Sequence, residues 1–542
     1  MAHDASGTFP VPEQAPAAAA REGFYTRKAT GLVRRIGVGN ALVMNLAFVN
    51  IALGALTFTV APFAFPGASL FWVVILTMAF SVAPALMYAV LSGSMPRSGG
   101  DYVFVSRILH PLVGFAANFN TTVWTTFFTG ILCSWVAGFA SSSALLTIGT
   151  VLDSQSMIDW SARVATKAWQ FGVGLGTIIV FTILVSLGTR ITFRVLGVIF
   201  GLMIVGQIAA IAVLAANGHS DFVQAFGDYG DYDKVVAGGP DAGFTASSGS
   251  AAATFAAIPL VFSSLGFAIV SNYVSGEVKQ AGKTQLYSML GAVAVGGVVL
   301  AIFGALAERT FGSEFLGSIQ ALSFTDDYPL NAPPFFYLFV SMLTHNIPLL
   351  CLIGAGFVFA IVANIPPQFL IDTRTVLAWS FDRVVPMRLS SVNPRTASPI
   401  FATVVTGLFM AGFMAFFIYV PSKWTSFVFT AGIGSYLTFF IVSVAGAIFP
   451  WRRPDIYAAS PLRSSVLGMP VITIASVFSA AIYSLLIYYL LTNDELGANS
   501  TQGLVALPIV FAIPVVIYVV AAVVNRRRGI DVALAHQELP PE

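Results

Sequence analysis

Charge is what this chain of 542 residues has least of: 9% of it is Asp, Glu, Lys or Arg, against 57% hydrophobic residues and a mean hydropathy of +0.84. A soluble globule of this length would have far too little polar surface, so a soluble protein is excluded. Cysteine is almost missing as well. Cys133 and Cys351 fall in or beside apolar runs, where they read as small buried side chains, and no disulfide framework is implied. No sequence resembles an ATP-binding phosphate loop, and no cluster of His, Asp or Glu lies in an apolar run. These two absences argue against ATP coupling on this chain and against an enzyme that needs an intramembrane metal, acid or base. No cofactor and no nucleic-acid partner are expected.

What is present is apolar sequence in long runs. Stretches of spanning length, about twenty residues or more, lie at roughly 36–61, 68–92, 111–149, 168–189, 195–217, 251–276, 284–307, 347–371, 396–422, 424–449, 464–492 and 502–525. None contains Asp, Glu, Lys, Arg or His, as expected if a charge at a helix centre costs about 2.5 to 3.5 kcal/mol. The fold class is therefore an all-α polytopic membrane protein with 12 transmembrane helices, its partner the lipid bilayer. The third stretch exceeds what a bilayer needs and predicts a strongly tilted helix or one that continues outside.

Basic residues orient the chain. With both termini cytoplasmic, 21 of the 26 Lys and Arg residues fall inside, leaving Arg163, Lys167, Lys234, Arg309 and Lys423 outside. The expected location is the plasma membrane. Residues 1–35 read as a disordered cytoplasmic tail and 526–542 as a short cytoplasmic one, while 218–250, rich in Gly and Asp, reads as a solvated extracellular loop.

The sixth stretch is the most informative. It carries Pro259, then Phe262-Ser263-Ser264-Leu265-Gly266, and leaves through Ser275-Gly276-Glu277-Val278-Lys279. A helix cannot open its hydrogen-bond ladder against lipid, so irregular backbone at mid-membrane has to line an enclosed cavity where a solute or ion replaces the lost partners. The eighth stretch contains Asn364-Ile365-Pro366-Pro367-Gln368. Two adjacent prolines remove two backbone donors and predict a kink; the Asn364 and Gln368 amides beside it form a candidate substrate or cation site, with a kink satisfied by neighbours or water the alternative.

Three further motifs carry a resemblance. After the second stretch comes Met95-Pro96-Arg97-Ser98-Gly99-Gly100-Asp101-Tyr102-Val103-Phe104, followed by His110-Pro111-Leu112. The sixth stretch has its Gly266 break and Gly276-Glu277-Val278-Lys279 exit; after the eighth stands Arg374-Thr375-Val376-Leu377-Ala378-Trp379-Ser380-Phe381-Asp382-Arg383-Val384-Val385-Pro386. In this order the three resemble the signatures of amino acid-polyamine-organocation permeases over about residues 31 to 525. The resemblance implies an inverted repeat of five plus five helices, here 36–217 and 251–449 within a transport core of 36–449, with two accessory helices at 464–525. It also makes helices one and six symmetry mates, so helix one should break near its middle, around Asn50, Ala52, Gly54 and Ala55. Family members typically carry several glycines there; this chain offers Gly54 alone.

The resemblance implies a secondary active transporter working by alternating access. Paired breaks suit a zwitterion, because one freed helix end favours a carboxylate and the other an ammonium group. Around them Trp124, Phe127, Phe262 and Phe267 could cap an apolar side chain, and Phe262 sits where relatives place a gating aromatic. Ala268 stands where some relatives with cationic substrates carry an acid, which points to a small neutral amino acid. A carrier of another organic amine stays open, as does a transporter-derived sensor or channel. At the cytoplasmic mouth Glu277 is expected to pair with Lys279 or Arg107 as a gate. For coupling, sodium would need only neutral oxygens and exchange no ion. A proton relay normally needs a titratable group in a span; Glu277 at the mouth is the remaining acceptor.

Overall fold

The structure, a computed structural model, describes residues 32–330, 332–420, 427–494, 496, 498–532, 534 and 539. Residues 1–31, most of the expected N-terminal tail, lie outside that set, as do Lys423 and residues 533, 535–538 and 540–542 of the C-terminal tail. The twelve predicted membrane helices are all present as candidate spans: Val38–Ala64, Leu70–Ser94, Pro111–Val151, Lys167–Ser186, Thr189–Ala216, Ala251–Glu277, Ala281–Thr310, Ile347–Phe381, Ile400–Tyr419, Thr430–Arg452, Val471–Thr492 and Thr501–Arg526. They are called spans 1 to 12. Bonds between span ends gather Arg35, Arg107, Lys279, Arg374 and Arg453 at one end of the bundle, the basic end, and Ala64, Gly67, Ser69, Ser250, Glu308 and Asn493 at the other, the acidic end.

Span termini solve the problem of their unpaired amides locally. Ser69 accepts from Trp72 N ahead of span 2, Asn346 from Leu349 N ahead of span 8, and Ser500 from Gly503 N ahead of span 12. Enclosure then sorts the spans. In span 6, 72% of the apolar window is buried, and in spans 1 and 3 it is 67%, whereas only 17% of span 12 is. The first, third and sixth spans lie in the protein interior; the last is the most exposed of the twelve.

Three features differ from expectation. Span 8 runs on beyond residue 371, so that Asp372 and Arg374 lie inside a membrane helix and not in the loop after it. It also stays one helix through Pro366 and Pro367. The acidic-end segment 218–250 is partly helical, at His219–Phe226 and Tyr232–Gly238. Its Phe222 ring packs 4.7 Å from Phe311 and 5.1 Å from Phe315, and burial of that aromatic cluster holds the segment down. Span 3, 41 residues long, contains a π-helical stretch at Val136–Ser141.

Candidate functional site

Spans 1 and 6 are both interrupted. In span 1 the helix stops at Val49, and Asn50 adopts a left-handed conformation (φ 49°) before a second helix, Ile51–Ala64, begins. Asparagine tolerates this region better than most side chains and can bond locally. Its Oδ1 accepts from Leu53 N at 3.3 Å, while its Nδ2 donates to Ala360 O of span 8 at 2.7 Å. One side chain thus caps the second half-helix and anchors the break. In span 6 the ladder tightens: Gly266 N still reaches Phe262 O, but Phe267 N and Ala268 N bond to Ser264 O and Leu265 O, three residues back. A 3₁₀ segment, Val270–Glu277, completes the span. The break expected near Asn50 to Ala55 and the one at Gly266 are therefore both there, five spans apart.

The interruptions are stitched together. Ser264 Oγ donates to Val49 O, the last carbonyl of the first half-helix, at 2.5 Å, and Asn45 Oδ1 accepts from Ser271 N at 2.8 Å. Asn364 Nδ2 of span 8 donates to Phe48 O at 3.1 Å. Carbonyls released by the break in span 1 thus find side-chain donors on spans 6 and 8.

Beside these breaks lies a cavity of about 220 Å³. Its wall runs from Phe48 to Val60 on span 1 and from Pro259 to Phe267 on span 6, and includes Trp124, Asn364 and Tyr436. It occupies the region between the breaks and the acidic end. Among the described residues no charged side chain borders it; the polar side chains of its lining are Thr57, Thr125, Ser263, Ser264, Ser435, Tyr436, Asn364, Trp124 and Trp135. Of the residues singled out from the sequence, Trp124, Ser263, Ser264, Phe267 and Asn364 stand in the wall. Asn50, Ala52, Gly54, Ala55, Phe262, Gly266 and Gln368 stand behind it. Phe262 is wedged edge-on between Tyr436 and Tyr483, at 5.8 and 5.9 Å between ring centroids. Phe127 packs instead in a groove formed with spans 9 and 12. Thr57, Thr125, Trp135 and Tyr436 escape a reading of motifs, since which face of a helix meets a cavity depends on packing.

At the basic end the interior is closed by charge. Glu277 pairs with Arg374 of span 8 (Nε to Oε1, 2.7 Å), and Thr189 Oγ1 donates to the other carboxylate oxygen at 2.7 Å. This corrects the expected pairing with Lys279 or Arg107: Lys279 is exposed, and Arg107 is taken by Asp382, which it grips through both terminal nitrogens at 2.5 and 2.8 Å. Both pairs are almost wholly buried, so the many hydrogen bonds around them are required to offset desolvation. Gly99 and Gly100 of the sequence motif bring the short helix Asp101–Ile108 against span 6. They have φ of 109° and 50°, and a Cβ on Gly100 would stand 2.1 Å from Asn272 Oδ1. No other residue fits there.

Tyr273 of span 6 donates to Asp101 Oδ2 at 2.5 Å. Burial pushes the Asp101 carboxyl up from 3.8 to about 6, opposed by the bond from Tyr273. Because the folded protein then holds this proton more tightly than the unfolded chain, the stability it contributes is complete below 3.8 and is lost as the pH rises through about 6. The loss is on the order of 3 kcal/mol. The Asp101→Asn variant, which keeps a neutral side chain at every pH, checks this by thermal unfolding. Wild type should match it near about pH 4 and unfold at a lower temperature near about pH 7; a constant difference would refute the assignment.

Continuation of span 8 also changes the inventory of charges. Asp372 lies inside the membrane helix, 2% exposed, accepting from Thr126 Oγ1 at 2.8 Å and from Gln368 Nε2 at 2.6 Å. The expectation that no span carries a carboxylate is overturned, because hydropathy ends a span at its first charge whereas a helix surrounded by protein continues past it.

Twelve spans, paired interruptions and a cavity beside them that is closed off from the basic end define a membrane transport protein. A sequence model of the amino acid permease family matches residues 41–514, and the chain belongs to that family and so to the amino acid-polyamine-organocation superfamily. No curated protein matches it.

Proposed function

We propose that the protein is a secondary active transporter of a small neutral amino acid, working by alternating access. The observation that carries this reading is the cavity at two interrupted helices with no charged side chain in its wall. Beside it the N-terminus of Ile51–Ala64 offers a positive dipole end for a carboxylate, and the C-terminus of Ile258–Leu265 a negative end for an ammonium group. Phe48, Phe267 and Trp124 then enclose an apolar side chain. The residues predicted from the sequence but placed behind the wall hold these ends in position.

In this reading 36–449 is the transport core and 464–525 its accessory pair. The basic end faces the cytoplasm, a reading that the Lys and Arg distribution supports. Closure of that end, with the cavity on the far side of the breaks, then corresponds to an outward-facing or occluded state. Glu277 with Arg374, and Arg107 with Asp382, form the cytoplasmic gate. Purified protein in liposomes, preloaded with unlabelled substrate and offered each labelled amino acid, tests the function. Counterflow of neutral amino acids is the expected result; flux of an organic amine and of no amino acid would overturn it.

A further inference from the structure

We propose that Asp372 is the proton-binding group of the transport cycle, and that Gln368 reports its protonation to the cavity through Thr125. The inference rests on the transport reading above and adds to it the coupling ion and the residue that binds it.

Asp372 has no cation beside it. Among the described residues no Lys, Arg or His lies within ion-pair distance, and its neighbours are the neutral donors Thr126 and Gln368. A carboxylate in that setting has lost water without gaining a counter-charge, and an intramembrane acid so placed is costly to keep unless it works. The charged groups on the packed elements are engaged elsewhere. Arg374, on the same span, turns to Glu277 and Thr189, Arg107 holds Asp382, and Arg190 and Arg194 of span 5 are exposed. Span 3 carries no titratable side chain except Cys133, and span 1 none. The titratable group nearest on span 6 is Tyr273, whose hydroxyl already donates to Asp101.

A second observation supplies the switch. Gln368 is fully buried; its Nε2 donates to Asp372 Oδ1 at 2.6 Å and to Thr125 Oγ1 at 3.0 Å, while its Oε1 has no partner. A buried carbonyl without a donor is rare. When a proton arrives on Asp372 the carboxyl gains an O–H, and a half-turn of the Gln368 amide turns the idle oxygen toward it as acceptor. The same rotation withdraws or redirects the N–H held by Thr125, which stands in the cavity wall. Substrate site and proton site are thereby linked by three side chains. The proton enters from the side to which the cavity opens and leaves from Asp372 when the opposite end opens.

Two measurements on the full-length protein decide the matter. The first needs no transport: infrared difference spectra of purified protein between acid and alkaline buffer. In the Asp101→Asn background, which removes the band of that buried carboxyl, a carbonyl-stretching band of a protonated carboxyl should titrate, be lost when Asp372→Asn is added, and shift with Asp372→Glu. The second is accumulation in liposomes under an inward proton gradient, using the labelled amino acid with the fastest counterflow. At one proton per substrate a gradient of one pH unit sustains accumulation of about tenfold. Wild type should reach it, with internal acidification seen by a trapped pH dye. Asp372→Asn should fall to about onefold, and Asp372→Glu should restore accumulation with a displaced pH midpoint. Equal accumulation by wild type and Asp372→Asn overturns the proposal, as does substrate-driven flux without acidification in wild type. A band unchanged when Asp372→Asn is added to Asp101→Asn also overturns it. If no amino acid shows counterflow, the transport reading fails and the coupling with it, and the band alone then decides whether Asp372 binds a proton.

Discussion

Replacing Gly266 by valine is expected to lower amino acid uptake by about one to two orders of magnitude while leaving the amount of protein in the membrane unchanged. A Cβ at this position would stand 2.3 and 2.4 Å from Phe262 ring carbons and 2.6 Å from Phe262 O. The ring cannot step aside, since Tyr436 and Tyr483 pack edge-on against it. Overpacking of this kind costs about 1–3 kcal/mol, a factor of roughly five to over a hundred in a conformational equilibrium. The cost falls where the ladder of span 6 tightens, so it shifts the turn that shapes the cavity and leaves the apolar helix that inserts. Uptake normalised to surface protein is the measurement. Normal uptake by the valine variant would mean that the turn after Leu265 has no part in transport.

A comparably large effect is expected from Glu277→Gln. Removing one charge of a buried pair leaves the other without compensation, at a cost of about 3–5 kcal/mol, enough to reduce a closed state more than a hundredfold. Arg374 would keep only its bonds to Thr189 and Thr373. The basic end should then open: Ser275→Cys, at a position now fully buried, becomes reactive to a membrane-impermeant thiol reagent from that side, in a background where the exposed Cys351 is replaced by serine. Concentrative uptake is lost in parallel. The double variant Glu277→Leu with Arg374→Leu should recover thermal stability without recovering uptake, since an apolar pair holds the end shut but does not release it. Protection of the cysteine together with full uptake in Glu277→Gln would show that this pair is not the closure.

The contrast between Gly266 and Glu277 shows what could be read beforehand. Span positions and the turn after Leu265 are legible because lipid tolerates neither charge nor open backbone, so both leave a mark in the local sequence. The interruption at Asn50 is legible mainly through the resemblance; the residue that makes it is an asparagine able to take a left-handed backbone, and a glycine count alone points a few residues too far along. Partners are another matter. Glu277 sits two residues from Lys279, yet its counter-charge comes from Arg374, on a helix whose hydropathy ends before that arginine. Asp372 is hidden for the same reason. Nor does a motif say which of its residues face inward: Ser263 and Phe267 border the cavity, while Phe262 and Gly266, between and beside them, act from behind.

One contact at the basic end has reach beyond the membrane. The backbone ahead of span 1 forms a parallel bridge with the exit of span 6: Arg35 N and Ile36 N both bond to Glu277 O, and Lys279 N to Ile36 O. The strand leading into span 1 is thus fastened to Glu277, whose carboxylate pairs with Arg374 at this end. A displacement of Arg35 or Ile36 is therefore delivered directly at Glu277. The short strand ahead of span 1 is a tether on the Glu277–Arg374 pair.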